Sequence, residues 1–196
     1  MKCLLVIAHP VSGSLNASLA QAAAEEVRQC GHELRVRNLY DSRFQPALTQ
    51  AERESYYGAF DASGIKAETD ELLWADTVIL VFPTWWFGMP AILKGWFDRV
   101  WAPGIAYDHA GDLGAIRARL HGLRQALAIT TLGSPWWVDR FVLRQPVKRV
   151  LKTALLGTCA PGCRFGMLSL YGAERLAPQR VDAFRARIGR ALAAWA

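Results

Sequence analysis

The chain has 196 residues and a mass of 21.7 kDa, enough to bury a sizeable core in one domain without disulfides or structural metal. Its 52% hydrophobic and 20% charged content is typical of a globular protein and excludes a disordered chain. The formal net charge of +6 is spread along the chain without a run of five like charges, so no nucleic-acid partner is expected. Such a surface either favours an anionic ligand or simply remains solvated.

The sequence predicts neither a targeting segment nor a membrane span. Residues 1–10 lack a long apolar segment, and no stretch reaches the ~18 unbroken apolar residues of a membrane helix. Cys3 falls in an apolar run and is expected to be a buried thiol. Cys159 and Cys163 form a close pair that suits either a redox pair or half of a zinc site, but no second pair has zinc-ligand spacing, so no metal is expected. This cysteine usage is typical of a reducing cytoplasm.

Short β-rich runs alternate with helical patterns along the chain. In chain order the pattern predicts strand 3–8, helix 14–30, strand 32–39, a short helix after Thr49, helix 65–74, strand 77–83, helix 90–100, strand 125–131, helix 146–156, strand 164–170 and helix 178–195. Strand 77–83 is the most apolar and suits the sheet centre, whereas strand 32–39 alternates apolar residues with arginine and suits an edge.

Five strands with helices between them predict an α/β fold, a doubly wound parallel sheet in a single domain over residues 1–196. Ligands of such sheets bind beyond the carboxyl ends of the strands, where the strand order reverses. This rule selects three segments, which we call the first loop (residues 9–16), the aromatic loop (residues 82–90) and the threonine loop (residues 130–137).

The first loop leads into a helix N-terminus, where free backbone N–H groups and the helix dipole favour an anion. Ser14 and Asn16 add a hydroxyl and an amide, so the loop suits a phosphate; the alternative is ordinary N-capping by Ser14. No Gly-Lys-Ser/Thr follows, which excludes a Walker loop. His9 precedes this helix and is more typical of a structural histidine than of a catalyst.

The aromatic loop carries three consecutive aromatic residues, Trp85, Trp86 and Phe87. They either pack into the core or against a second subunit, or they form the wall for a flat conjugated ring, with the loop's N–H groups bonding to it. In the threonine loop, Gly133 and three hydroxyls suit close approach of the backbone to a ligand, and Trp136 and Trp137 either cover that ligand or belong to an interface.

Acid, base and nucleophile candidates are scarce near these loops. There is no Gly-x-Ser-x-Gly motif and no pair of carboxylates, and Asp98 and Arg99 are expected to form a salt bridge or a solvated face. Loops that carry aromatic and anion-binding groups but no acid/base groups indicate that a bound cofactor performs the reaction.

The first loop together with the nineteen residues 82–100 resembles the flavodoxin-like NAD(P)H:quinone reductase family, and the likeness runs from residue 1 to about 134. The resemblance implies a flavodoxin-like fold with strand order 2-1-3-4-5 and a homodimer that holds FAD, or FMN in some members. It implies that NAD(P)H reduces the flavin, which passes electrons to quinones or similar small-molecule acceptors.

The resemblance also implies positions for the cofactor and the substrate. Leu15 and Asn16 would line the pyrophosphate site beside His9 and Ser14, and Ala106 and Tyr107 would face the substrate. The flavin ring would lie between the aromatic loop and the threonine loop, on residues Pro83, Thr84, Trp85, Trp86, Phe87, Thr130, Thr131, Leu132 and Gly133.

Two departures from the family pattern leave alternatives open. Leu132 stands where the family has the first glycine of Thr-Thr-Gly-Gly, and the tyrosine and histidine that assist hydride transfer in FAD members do not follow the threonine loop. No catalytic side chain is therefore carried over. A flavin-binding ancillary subunit of a potassium-efflux system is the alternative function. A flavodoxin-type electron carrier is disfavoured by the basic charge.

Overall fold

A computed structural model describes residues 1–110 and 114–195. Five parallel strands form its main sheet: β1 (Lys2–Ile7), β2 (Glu33–Asn38), β3 (Thr77–Pro83), β6 (Gln125–Leu132) and β7 (Arg164–Tyr171). A separate antiparallel pair, which the sequence did not predict, joins β4 (Tyr107–Asp108) to β5 (Arg117–Ala118). The main sheet has the order β2-β1-β3-β6-β7, so the predicted order 2-1-3-4-5 is confirmed once the short pair is set aside.

The helices lie close to their predicted positions: α1 (Leu15–Gln29), α2 (Gln50–Glu54), α3 (Lys66–Trp74), α4 (Ala91–Val100), α5 (Pro146–Arg149), α6 (Gly157–Cys159) and α7 (Pro178–Ala193). A 3-10 turn over Ser63–Ile65 precedes α3. Val150–Leu156 is π-helical and joins α5 to α6, and Val138–Val142 forms another π-helical turn. The Ser14 hydroxyl accepts a hydrogen bond from the Ala17 N–H at 3.2 Å, as expected of an N-cap.

Two apolar layers cover the sheet because side chains alternate along its buried central strand. From β3, Leu80 and Phe82 join the core beneath α3 and α4. Ile79 and Val81 point the other way and pack with Leu19 of α1 and further apolar residues of α7. Within the described ranges, no helix has both the length and the apolarity needed to cross a bilayer.

Helix α4 packs unusually close to the segment before α2. A Cβ atom added to Gly95 would lie 2.2 Å from the carbonyl oxygen of Pro46, so only glycine permits this approach. On the same helix, the Arg99 guanidinium forms a buried ion pair with Glu52, with a shortest N–O distance of 2.6 Å. Burial raises the pKa of Glu52, but hydrogen bonds from Arg99 and the Thr49 backbone outweigh it and hold that pKa below its ordinary value.

The sequence predicts that Trp96, Trp101, Trp136 and Trp137 are more large rings near one end of the sheet than a small monomer can bury, and this prediction was wrong for two of the four. Trp96 and Trp101 are buried and pack edge-on against Phe97, with ring centroids 5.1 and 5.2 Å from it. The inward face of α4 and its C-terminus hold these rings in the core. Trp136 and Trp137 do remain half exposed.

Candidate functional site

The three selected loops meet at Thr131, near the end of β6. Its carbonyl oxygen accepts a hydrogen bond from the Thr84 N–H at 2.9 Å, which ties the aromatic loop to the threonine loop. Its hydroxyl accepts one from the Asn16 side-chain amide at 3.0 Å, which ties the first turn of α1 to the same point. The parallel register, in which Pro83 pairs with Thr131, places these loops side by side at the carboxyl edge.

The first loop presents unused polar groups at the start of α1. The backbone N–H groups of Leu15 and Asn16 donate to no acceptor among the described residues. The Asn16 side chain is only 3% exposed, and its Oδ1 atom has no hydrogen-bond partner within residues 1–110 and 114–195. His9 accepts a hydrogen bond at Nδ1 from the Val11 N–H at 3.1 Å, which orders this turn. The arrangement suits an anion at the helix N-terminus and a hydrogen-bond donor of the same ligand beside Asn16 Oδ1.

The aromatic loop is a tight reverse turn in an uncommon conformation. Trp85 and Gly88 exchange backbone hydrogen bonds of 3.2 and 2.9 Å. The two residues between them, Trp86 and Phe87, have φ angles of +52° and +55°. This is the pattern of a type I′ turn, which normally carries asparagine and glycine. Bulky residues at positive φ cost roughly 1–2 kcal/mol each, and such strain concentrates at functional sites.

The two central residues of this turn present a side chain and backbone N–H groups to the outside. Trp86 is 100% exposed, so its ring contacts no core residue. The N–H groups of Trp86 and Phe87 donate to no protein acceptor in the described part of the chain. Two free backbone donors beside an exposed indole suit the edge and face of a flat, polar heterocycle.

A cleft of about 80 Å³ separates the aromatic loop from the threonine loop. Of the predicted ring contacts, five line it: Thr84, Trp86, Phe87, Leu132 and Gly133. Ser134 also lines it, although the sequence did not predict a role for it, and its buried hydroxyl has no hydrogen-bond partner in the part of the chain that the structure describes. Position in the threonine loop was the only sequence signal for Ser134.

Other predicted site residues lie away from this cleft. Pro83 and Thr130 are buried in their strands, and the Thr130 hydroxyl bonds to that of Ser169 at 3.2 Å. Ala106 is 0% exposed and packs in the core, so its side chain has no surface for a substrate in this chain. Tyr107 shares a hydrogen bond of 2.7 Å with the hydroxyl of Tyr56, and burial raises its pKa above the ordinary value.

The close cysteine pair, Cys159 and Cys163, does not have the low pKa of reactive thiols. Burial raises the pKa of both Cys159 and Cys163 to about 11, so both are protonated near neutral pH and are poor nucleophiles. All four cysteines are unpaired. Across residues 1–110 and 114–195, no three His, Cys, Asp or Glu side chains cluster as metal ligands. What remains at the loops is a set of backbone donors, hydroxyls and aromatic rings.

A family profile described as the flavodoxin-like fold matches residues 1–190. The chain belongs to this flavodoxin-like family. It is 39% identical over 147 residues to an NAD(P)H oxidoreductase of Haemophilus influenzae, covering 72% of this chain and 68% of that one. It is 34% identical over 176 residues to a ribosyldihydronicotinamide dehydrogenase-like protein of Penicillium crustosum, covering 77% and 65%. The predicted resemblance is confirmed at the level of the family.

A solved structure named as the NAD(P)H:quinone oxidoreductase of Methanothermobacter marburgensis has the same fold. The TM-score is 0.84 at 26% identity, and the match covers 100% of this chain and 96% of that one. The chain spans 65% of the length of the fungal relative. It spans 64% or less of the length of the mammalian quinone dehydrogenases that it also matches, so both shares are below two thirds.

Proposed function

We propose that this protein is a flavin-dependent NAD(P)H oxidoreductase that reduces quinones or similar small-molecule acceptors. The observation that carries the proposal is the strained type I′ turn, whose free N–H groups and exposed Trp86 stand across a cleft from Gly133. The names of the relatives, an NAD(P)H oxidoreductase and an NAD(P)H:quinone oxidoreductase among them, support an oxidoreductase over an ancillary subunit of a potassium-efflux system or an electron carrier.

The residues at the three loops fit a flavin. The free N–H groups of Leu15 and Asn16 would hold its phosphates, and the unpaired Asn16 Oδ1 would accept from a ribityl hydroxyl. The N–H groups of Trp86 and Phe87 would bond to polar atoms along the ring edge. We propose FAD as the cofactor, with FMN as the alternative.

A bound flavin supplies the redox chemistry, taking hydride equivalents from NAD(P)H and delivering them to the acceptor. The chain's own contribution is binding and orientation: Thr131 fixes the three loops relative to one another, and the aromatic side chains exclude water from the ring. We assign no proton-transferring side chain. Tyr107 is proposed to face the substrate, where its hydroxyl, hydrogen-bonded to that of Tyr56, would contact the acceptor.

The protein is further proposed to be a homodimer. Apolar residues after the threonine loop are exposed over a short stretch, which we call the apolar patch: Trp136, Trp137, Phe141, Val142, Leu143 and Val150. Exposed patches of this kind mark interfaces. Light scattering should give twice 21.7 kDa, and dilution into monomers should lower turnover before flavin content. A single-chain mass at micromolar concentration with turnover intact would contradict the dimer.

A cytoplasmic location is proposed on the basis of the four unpaired cysteines.

The decisive test of the function is to identify a bound flavin and to measure NAD(P)H oxidation. The purified protein should be yellow, and heat denaturation should release a flavin that chromatography identifies as FAD or FMN. The loaded protein should then oxidise NADH or NADPH when a quinone is supplied. A colourless protein that fails to bind either flavin in a fluorescence titration would reject the proposal.

A further inference from the structure

A second cleft, of about 260 Å³, lies beside the edge strand β7 and is distinct from the cleft between the loops. Three cationic side chains line it: Arg140 from the π-helical turn, Lys148 from α5 and Arg187 from α7. We call it the basic cleft. Its cations come from three different elements, so their convergence is a property of the fold that no local sequence run reveals.

The cations of the basic cleft have no carboxylate partner within ion-pair distance among the described residues. The nearby acid, Asp139, is buried and accepts a hydrogen bond from the Tyr171 hydroxyl at 2.8 Å. Three like charges around one opening repel one another, and an anion placed between them would relieve that repulsion.

The walls of the basic cleft supply hydroxyl and aromatic groups as well. The Ser169 hydroxyl lies in this wall and accepts a hydrogen bond from Thr130 at 3.2 Å. Trp136 forms another part of the wall. Two guanidinium forks, an ammonium group and a hydroxyl around one opening match the several oxygens of a phosphate better than a single carboxylate.

The basic cleft adjoins the proposed flavin site. Ser134 lines the cleft between the loops and Trp136 lines the basic cleft, so at most about 7 Å of chain separates the two walls. In the sheet order, the first loop follows β1 and the basic cleft lies at β7, on opposite sides of the proposed ring site. A phosphate here would therefore belong to a second molecule rather than to the flavin.

We propose that the basic cleft binds a phosphate group of NAD(P)H while the nicotinamide reaches the flavin site. This assignment rests on the proposed function. It makes Arg140, Lys148 and Arg187 determinants of dinucleotide binding.

The test is calorimetric titration of the flavin-loaded protein with pyrophosphate and with adenosine 2′,5′-bisphosphate, because the flavin then fills the phosphate site of the first loop. Arg187→Gln and Lys148→Gln should each weaken binding of one or both probes roughly tenfold, as loss of a charged hydrogen bond does. Arg190→Gln is the matched control, since it removes the same charge from α7 but lines a different cleft.

Steady-state kinetics then identify the phosphate. Arg187→Gln should raise KM and leave kcat unchanged. If the basic cleft holds the 2′-phosphate, KM should rise for NADPH alone; if it holds the pyrophosphate, KM should rise equally for NADPH and NADH. Equal probe affinities in Arg187→Gln and Arg190→Gln would overturn the proposal, and so would weakened probe binding with KM unchanged for both dinucleotides. A protein that binds the probes but takes up no flavin would instead refute the proposed function.

Discussion

Replacing Trp86 with glycine is expected to weaken flavin binding while leaving the protein as stable as before, or slightly more so. The side chain is 100% exposed and buries nothing that its loss would uncover. Its φ of +52° costs a bulky residue about 1–2 kcal/mol, which glycine would relieve. Glycine's larger loss of backbone entropy on folding, about 0.5–1 kcal/mol, offsets part of that gain.

The effect on flavin affinity has the opposite sign. A tryptophan offers about 150–250 Å² of surface, and one face against a ring would cover roughly 100 Å². At ~25 cal/mol per Å² this contact contributes about 2.5 kcal/mol, or roughly a 70-fold change in the dissociation constant. Fluorescence titration of the apoprotein gives the affinity, and thermal unfolding of the same samples gives the stability.

Arg43→Gly is the matched control, because Arg43 is exposed and has a φ of +52° in a turn away from the three loops. It should show the same small stability change with unaltered flavin affinity. If Trp86→Gly lowers the melting temperature of the apoprotein and leaves flavin affinity per folded molecule unchanged, then the indole packs against protein and the proposed ring site is wrong.

Three other substitutions test the proposed flavin site and the packing of α4. Asn16→Asp should weaken flavin affinity at least tenfold in the same titration, because a carboxylate at the α1 N-terminus repels a phosphate, whereas Gln21→Glu on the exposed side of α1 should not. Arg99→Met should destabilise the protein by about 3–5 kcal/mol in urea unfolding, because it leaves the Glu52 carboxylate buried and unpaired. Because the folded pKa of Glu52 is depressed, the ion pair's stability is present above the unfolded pKa and lost as pH falls through the folded one; the stability difference between the parent protein and Arg99→Met should therefore shrink as the pH is lowered through this range. Gly95→Ala should lower the melting temperature, with an overpacking cost of about 1–3 kcal/mol or more, and an unchanged melting temperature would contradict the close backbone contact.

The sheet and its ligand edge were predictable because their signals are local. The apolar run of β3, the N-cap at Ser14 and the left-handed Gly31 after α1 each act within a few residues. Once the strands were assigned, the carboxyl-edge rule selected the loops that meet at Thr131. The short β4–β5 pair was missed because two-residue strands carry almost no periodic signal.

The conformation of the aromatic loop was not predictable from the same signals. A type I′ turn is recognised from Asn-Gly, and Trp86-Phe87 has the opposite preference. The burial of Trp96 and Trp101 was also missed, since composition shows how many large rings there are but not which face of α4 points inward. The basic cleft depends on Arg140 and Arg187, which only the tertiary fold brings together.

The departure at Leu132 is compatible with a flavin site because of where β6 ends. The strand continues through Leu132, which pairs with Tyr171, and its carbonyl accepts a hydrogen bond from the Ala173 N–H at 2.9 Å. The leucine side chain is thereby held against the protein and is almost fully buried. At the next position, Gly133, an added Cβ would lie 2.9 Å from Oε1 of Glu174, the movable end of an exposed side chain. A site built from backbone groups can therefore accept a leucine side chain at position 132, because that side chain points into the protein and leaves the backbone groups of the loop accessible.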